Sequence, residues 1–269
     1  MPANMISQTY ATLLLENPVD RILLITLNRP EVANAFNTQM ASDLMNLFEA
    51  LALNQSDLRC LVITGSGEKA FCAGGDLKER DGMSNEQWMR QHLIYERMIR
   101  AVIDCPVPLI AAVNGAAFGG GCELTAAADF VYVAENARFA MTETSLGIIP
   151  GAGGTQTLPR AVGERRAKEL ILSAQRFSAA EALAWGLANA MYPQAELLDA
   201  ALATASRIAA NAPIAVRQAK QAIHRGLQMS LADGLAFEIE AYNRTVPSDD
   251  RVEGVRAFNE KRAAVFKGK

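Results

Sequence analysis

Glu123 and Glu143 stand twenty positions apart, each beside glycine-rich chain: Gly119-Gly120-Gly121-Cys122-Glu123-Leu124 for the first, and Thr142-Glu143-Thr144 running on to Pro150-Gly151-Ala152-Gly153-Gly154 for the second. Two carboxylates near exposed peptide N–H groups are the parts of an acid/base enzyme. The carboxylates move protons, and the N–H groups hold the negative charge a carbonyl develops when a neighbouring carbon reacts. Glycine suits such a backbone because, lacking a Cβ, it lets a main-chain N–H approach a ligand oxygen closely, and it can open a helix whose N-terminus favours negative charge. A third segment, Phe71-Cys72-Ala73-Gly74-Gly75-Asp76-Leu77, offers a second N–H from elsewhere in the chain.

Ala73 and Gly120 are the candidate pair of donors. Both occupy small-residue loops at strand ends, and Gly120 precedes a short helix expected over 122–128, whose dipole adds to the stabilisation. Removing one such donor typically costs about 10²–10³ in rate. Glu123 then falls in the first turn of that helix and Glu143 arrives from a later loop. Two carboxylates around one water can activate it for attack and return a proton to the neighbouring carbon, each contribution worth roughly 10²–10⁴. Taken singly, each feature has a structural explanation: a glutamate in a first turn stabilises the helix, and three glycines can be no more than a tight turn. Their joint order is what points to chemistry.

The elements that must position these groups are legible as an α/β pattern. Strands are expected at 12–16, 22–28, 60–64, 109–113 and 130–134. Between them Met40, Leu44, Leu47, Phe48 and Leu51 repeat at helical spacing, as do Trp88, His92, Tyr95, Ile99 and Val102. Gly65-Ser66-Gly67, Gly74-Gly75 and Gly119 to Gly121 fall at strand ends, where open α/β sheets place their ligands. After about residue 155 strand signals stop. Ser178-Ala179-Ala180-Glu181 reads as a capping box ahead of 182–185, and helices are expected over 197–210, 214–226, 231–245 and 251–261. Such a tail has too few neighbours to bury every apolar face, so it folds back on the core or packs against other subunits, the second giving a homo-oligomer. The reading is one catalytic core, residues 1–195, with a helical oligomerisation region, 196–269.

Composition narrows the alternatives. Half of the 269 residues are apolar, which excludes disordered and fibrous classes. The longest apolar runs, such as 109–113, fall far short of the roughly 18 residues a membrane helix needs. The first twenty residues carry no Lys or Arg and include Glu16 and Asp20, which fits neither a secretory signal nor a transit peptide. A cytoplasmic or already processed product is expected. Cys60, Cys72, Cys105 and Cys122 lack metal or disulfide spacing and read as buried reduced thiols. With only His92 and His224 present, neither a histidine metal site nor a Ser-His-Asp triad is expected, and the helical stripe around His92 assigns it to packing. A net charge of −3 argues against broad affinity for nucleic acid or anionic membranes. The local exception is 251–269, where six basic residues face Glu253 and Glu260, a solvated helix face by default and a phosphate contact otherwise.

Joined together, several motifs are similar to the enoyl-CoA hydratase/isomerase (crotonase) family over nearly the full chain: Asn28-Arg29-Pro30 with Ala33-Asn34-Ala35, the run 70–79, Ala112-Val113-Asn114-Gly115 with Gly119 to Leu124, Gly147 to Gln156, and the ending from Asp250 through Gly268. The resemblance implies a stacked ββα superhelix with a helical trimerisation region, assembled as a trimer or dimer of trimers. It implies an acyl-CoA substrate, with coenzyme A part of the substrate and no separate cofactor or metal. Ala73 and Gly120 match the family's oxyanion-hole donors. Val32, Ala33, Ala35, Ala73, Gly74, Gly75, Asp76, Leu77 and Gly120 match positions lining the coenzyme A and substrate path. Glu123 and Glu143 match the hydratase carboxylates, which favours addition of water across an α,β double bond. In that chemistry Glu123 orients and deprotonates the water and Glu143 supplies the proton to Cα.

Leu77-Lys78-Glu79-Arg80, Met141-Thr142-Glu143-Thr144 and Ile148-Ile149-Pro150 look more like hydratases acting on 3-methylglutaconyl-CoA in leucine breakdown than like short-chain fatty-acid hydratases. Proteins of that branch are linked to RNA through a lysine-rich helix. The matching helix here, 38–54, has no Lys or Arg and carries Asp43 and Glu49, so no RNA binding is expected. The alternatives are double-bond isomerisation, which needs one carboxylate, and a non-catalytic acyl-CoA-binding scaffold. Acyl preference depends on a pocket behind Glu123, shaped by a mobile stretch over 80–98 and by 146–149.

Overall fold

Ile22 and Leu24 alternate along the chain with Leu23, Ile25 and Leu27, and all five are buried, so the strand they form has apolar cover on both faces. In the computed structural model, which describes residues 9–55 and 57–269, this strand is β2 (Ile22–Leu27). In chain order the elements are β1 (Leu13–Val19), β2, α1 (Thr38–Leu53), β3 (Cys60–Gly65), β4 (Ala70–Cys72), α2 (Leu77–Arg80), α3 (Asn85–Asp104), β5 (Leu109–Val113), β6 (Ala116–Phe118) and α4 (Gly120–Ala127). There follow β7 (Phe130–Ala134), β8 (Arg138–Ala140), α5 (Gly154–Val162), α6 (Glu164–Ser173), β9 (Phe177–Ser178), α7 (Ala179–Ala184) and β10 (Ala190–Tyr192). The chain ends in α8 (Leu197–Ala209), α9 (Pro213–Gly226), α10 (Leu231–Asn243) and α11 (Asp249–Asn259). Short 3-10 turns lie at Pro30–Val32 and Glu143–Leu146.

The strands divide between two sheets, one of order β1-β2-β3-β5-β7-β10 and one of order β4-β6-β8-β9. Pairs β3/β4, β5/β6 and β7/β8 each give one strand to either sheet before a helix follows, which is the stacked ββα arrangement. Within each sheet these successive strands run parallel. Five further strands depart from the sequence reading. The three second strands, β4, β6 and β8, are three residues each, too short to show alternation. Strand signals also do not stop at 155: β9 closes the small sheet and β10 extends the large one.

Two cores result. One joins Leu23, Ile25, Leu61 and Ile63 to helices α1, α3 and α4 and the small sheet. On the other face Ile22, Leu24, Val62 and Ile110 meet Leu197, Ala201 and Ala205, which repeat every four residues along α8 so that its small side chains lie close to the sheet. The carboxyl end is tied back through Arg59, whose guanidinium donates to the Ala209 and Phe266 carbonyls at 2.8 and 2.6 Å. Asp250 accepts the Lys267 and Gly268 N–H groups. Within the basic ending, Arg256 and Arg262 both pair with Glu253, so part of that charge is neutralised internally. Helices α9 and α10 pack on each other and leave Ile223, Leu227, Leu231, Leu235 and Ile239 exposed.

Helix α1 also differs from expectation in one charge. Asp43 is buried, accepting from the Thr12 N–H and hydroxyl at 3.0 and 2.7 Å, so it pins β1 and leaves Glu49 as that helix's surface acid.

Candidate active site

Glu123 sits in the first turn of α4, only 3% exposed. Its Oε1 accepts the N–H groups of Ala152 and Gly154, both at 2.8 Å. The glycine-rich run after Glu143 therefore serves Glu123: it turns two backbone donors onto one carboxylate oxygen and leaves Oε2 for a ligand. Burial is the main cause that pushes the Glu123 carboxyl up to about 7, and neighbouring Glu143 adds to it, while the two N–H donors and Arg80 oppose the rise.

Glu143 opens the 3-10 turn that follows β8 and is itself buried. Its Oε2 is enclosed with no hydrogen-bond partner among the described residues, an orphan acceptor of the kind that folded proteins rarely keep without a use. Burial raises its pKa, against its own backbone N–H and Arg80. Gly119 makes room for it: a Cβ there would stand 2.9 Å from Glu143 Oε1, and φ of +48° is a conformation side chains rarely adopt. Two residues on, a Cβ at Gly121 would come within 2.1 Å of the Cys72 carbonyl oxygen, so glycine lets α4 press onto β4. Both carboxylates are thereby carried into one space.

The donor pair requires a correction. The Ala73 N–H is committed to the Ala33 carbonyl at 3.0 Å, and Ala73 does not line the cavity that holds the glutamates. Gly75 does line it, together with Gly120, Glu123 and Glu143. Around Gly75 the chain is extended beside Phe36: the Phe36 N–H donates to the Gly74 carbonyl and the Asp76 N–H to the Phe36 carbonyl, each at 2.7 Å. Successive N–H groups of an extended chain alternate sides, so the Gly75 N–H faces away from Phe36, and it has no partner among the described residues. The Gly120 N–H, at the first position of α4, is likewise unpaired. The two loops abut, since a Cβ on Gly74 would lie 3.3 Å from the Gly120 nitrogen.

The remaining sequence candidates are scaffold around these loops. Ala33 supplies the carbonyl that fixes Ala73, and Ala35 a carbonyl for Arg29 Nη1 at 2.7 Å. Asp76 caps α2 and pairs with Arg29 at 3.0 Å, so both its oxygens are engaged. Val32 is half-buried and Leu77 exposed, and like Gly74 they stand outside the cavity lining. Asn34 of the Ala33-Asn34-Ala35 motif is fully buried, accepting from Arg29 N and donating to the Ser66 and Ala70 carbonyls, which knots the first 3-10 turn to the β3–β4 loop.

The cavity, about 770 Å³, has a wall that sequence reasoning assigned elsewhere. Trp88, His92, Tyr95 and Ile99 repeat along α3 and line it, so His92 faces the cavity rather than the core. Of the expected stripe, Tyr95, Ile99 and Val102 are buried, joined by Gln91 and Met98, whereas Trp88 and His92 are only partly buried. Within the stretch 80–98, residues 85–98 are helix, the start of α3, opened by a capping box between Ser84 and Gln87. Arg80 also lines the cavity, its guanidinium over the Trp88 and Tyr95 rings at 4.4 and 5.0 Å. All four cysteines are buried free thiols, and burial raises each, Cys60 and Cys72 to about 12.

The enoyl-CoA hydratase/isomerase family model matches residues 19–269. The chain belongs to the enoyl-CoA hydratase/isomerase family. Among its relatives, the short-chain-enoyl-CoA hydratase of Clostridium acetobutylicum is 39% identical, the match covering 90% of this chain and 92% of the relative. The 2,3-dehydroadipyl-CoA hydratase of Escherichia coli is 40% identical over 93% and 96% of the two chains. The crystal structure of an enoyl-CoA hydratase from Bacillus anthracis superposes with a TM-score of 0.94 at 44% identity, covering 96% of this chain and all of that one. As an enoyl-CoA hydratase/isomerase family member the chain has the crotonase fold, and the family's substrates are acyl-CoA thioesters. Among the described residues no helix is long and apolar enough to cross a membrane, and no group of His, Cys, Asp and Glu could hold a metal ion.

Proposed function

We propose that this protein adds water across the α,β double bond of an enoyl-CoA thioester. The observation that carries the reading is one cavity lined by both buried glutamates and by Gly75 and Gly120, whose N–H groups have no partner among the described residues. The thioester oxygen accepts those two N–H groups. Water held between the carboxylates loses a proton to Glu123 as its oxygen bonds Cβ, and the π electrons pass to the thioester as an enolate. Glu143 then delivers a proton to Cα, the carbonyl re-forms, and proton exchange within the pair restores the starting state. The net change is addition of one water. Glu123 Oε1, held by two N–H groups, suits the ionised partner, and unpartnered Glu143 Oε2 suits the acid; the two titrate as a pair.

Coenzyme A enters, in this reading, along the loop 32–35, which lies against 73–76 through the Ala73–Ala33 and Phe36–Gly74 hydrogen bonds. The 3-methylglutaconyl thioester is the finer candidate substrate, supported by the runs 77–80, 141–144 and 148–150. The exposed apolar face of α9 and α10 supports a homo-oligomer, a trimer or dimer of trimers. Incubation with crotonyl-CoA and 3-methylglutaconyl-CoA tests the activity. Loss of the conjugated enoyl-thioester absorbance with formation of the 3-hydroxyacyl product supports hydration. A shifted double bond assigns isomerisation, and tight binding without turnover assigns a scaffold.

A further inference from the structure

Arg80 brings a cation into the cavity that no carboxylate of the chain neutralises by a direct ion pair among the described residues. Its nearest acid in sequence, Glu79, is committed elsewhere: Glu79 Oε2 accepts the Thr38 N–H at 2.9 Å and the Gln91 amide at 2.8 Å. Asp76 is equally engaged, by Arg29 and the start of α2. Arg80 is nonetheless held in place. Its Nε donates to Gln91 Oε1 at 2.8 Å, Gln91 is buried and anchored through Thr38 Oγ1, and two aromatic faces flank the guanidinium. Only the Nε–H is committed in this way, so the planar fork keeps donors for a ligand while its orientation is fixed.

The position of the fork says what the ligand is. Arg80 Nη1 lies 3.4 Å from where a Cβ on Gly75 would stand, and the same guanidinium acts on the charges of both Glu123 and Glu143. It is therefore beside the reacting carbons. The phosphates of coenzyme A are a whole pantetheine arm away from a thioester held at Gly75, and cannot reach it. What does reach it is the acyl chain, and the group that an immobilised, unpaired guanidinium recognises is a carboxylate. His92, with no hydrogen bond of its own among the described residues, adds a second polar group to the same wall.

We propose that Arg80 is a specificity-determining residue that receives a carboxylate on the acyl chain, so that the preferred ligands are thioesters of short dicarboxylic acids. This deepens the hydratase reading and rests on its placement of the thioester at Gly75 and Gly120. A straight-chain monocarboxylic acyl group leaves the guanidinium without an anion and gives up the charge-assisted hydrogen bonds.

Binding of two unreactive thioesters tests it without any turnover. Glutaryl-CoA is butyryl-CoA with a carboxylate on its terminal carbon, and isothermal titration measures each. Wild type is expected to bind glutaryl-CoA about tenfold or more tightly than butyryl-CoA, the worth of a charged hydrogen bond. Arg80→Met is expected to abolish or reverse that ratio, with Arg80→Lys between the two because it keeps charge and loses the fork. Should Arg80→Met fail to fold, Arg80→Gln and Arg80→Lys carry the comparison. Equal binding of the two thioesters by wild type, or a preference that survives loss of the guanidinium, overturns the assignment. A glutaryl preference in a protein that hydrates neither crotonyl-CoA nor glutaconyl-CoA instead leaves Arg80's role standing and removes the hydratase reading.

Discussion

The Ala73 N–H ends on the Ala33 carbonyl at 3.0 Å, and that hydrogen bond decides which amide of the 73–75 loop can serve a ligand. A donor already satisfied inside the protein offers nothing to a developing oxyanion. Two residues later the N–H of Gly75 has no partner among the described residues, and Gly75 lines the cavity with Gly120. Replacing single peptide bonds by esters separates the two roles. An ester that removes the Gly75 N–H is expected to lower turnover by about 10²–10³. One that removes the Ala73 N–H is expected to cost about 1 kcal/mol of stability, with a much smaller effect on turnover. Equal effects on turnover would return the role to Ala73.

The two glutamates carry different hydrogen-bond environments but are expected to be comparably indispensable. Glu123→Gln keeps an oxygen for the Ala152 and Gly154 N–H groups and loses the base; Glu143→Gln loses the acid. Each is expected to reduce hydration of crotonyl-CoA by about a hundredfold or more. A variant that keeps most of its activity removes that glutamate from the mechanism.

Much of this site could be read from residue types alone, and the unread part has a physical cause. Glu123, Glu143 and Gly120 stand in local patterns that expose chemistry: a helix start, a turn, a glycine run. The three-residue strands β4, β6 and β8 carry too few residues for any period, and their pairing comes from the stacking of successive ββα units. Ala73 and Gly75 differ by two positions in the same loop, and only the long-range bridge to Phe36 decides which N–H is free. The stripe of Trp88, His92, Tyr95 and Ile99 follows helical spacing equally well whether it faces a core or a ligand cavity. Tertiary structure makes that choice.

Leu227 and Leu231, at the turn between α9 and α10, are each 80% exposed, and Phe258 on α11 is 84% exposed. An apolar surface of this kind is covered by a partner in most folded proteins. Sedimentation equilibrium is expected to give a mass that is a multiple of 29.0 kDa, three- or sixfold. The double change Leu227→Asp and Leu231→Asp is expected to shift it toward the monomer. A wild-type monomer at micromolar concentration would sink the oligomer.

Burial of Glu123 also makes a prediction about stability, because the site holds an acid the fold would rather keep neutral. Its pKa rises from 4.5 to about 7 on folding. Below the lower value the group is protonated in folded and unfolded chains alike, and ionisation costs the fold nothing. Between the two values the unfolded chain gives up its proton first, so the folded state binds more protons and stability falls as pH rises. Above about 7 both states are ionised and the full penalty remains, about 3 kcal/mol for a shift of this size. Glu143, also raised, acts in the same direction. Glu123→Gln is neutral at every pH and still accepts the Ala152 and Gly154 N–H groups, so it escapes its share of the fall. Urea unfolding at pH 5 and at pH 8 is expected to show the variant gaining on wild type as pH rises, even as it loses turnover. A difference that stays constant across that range would mean that Glu123 ionises in the folded protein as readily as an exposed glutamate, and its buried, N–H-clamped setting would then impose no cost for the acid/base chemistry to exploit.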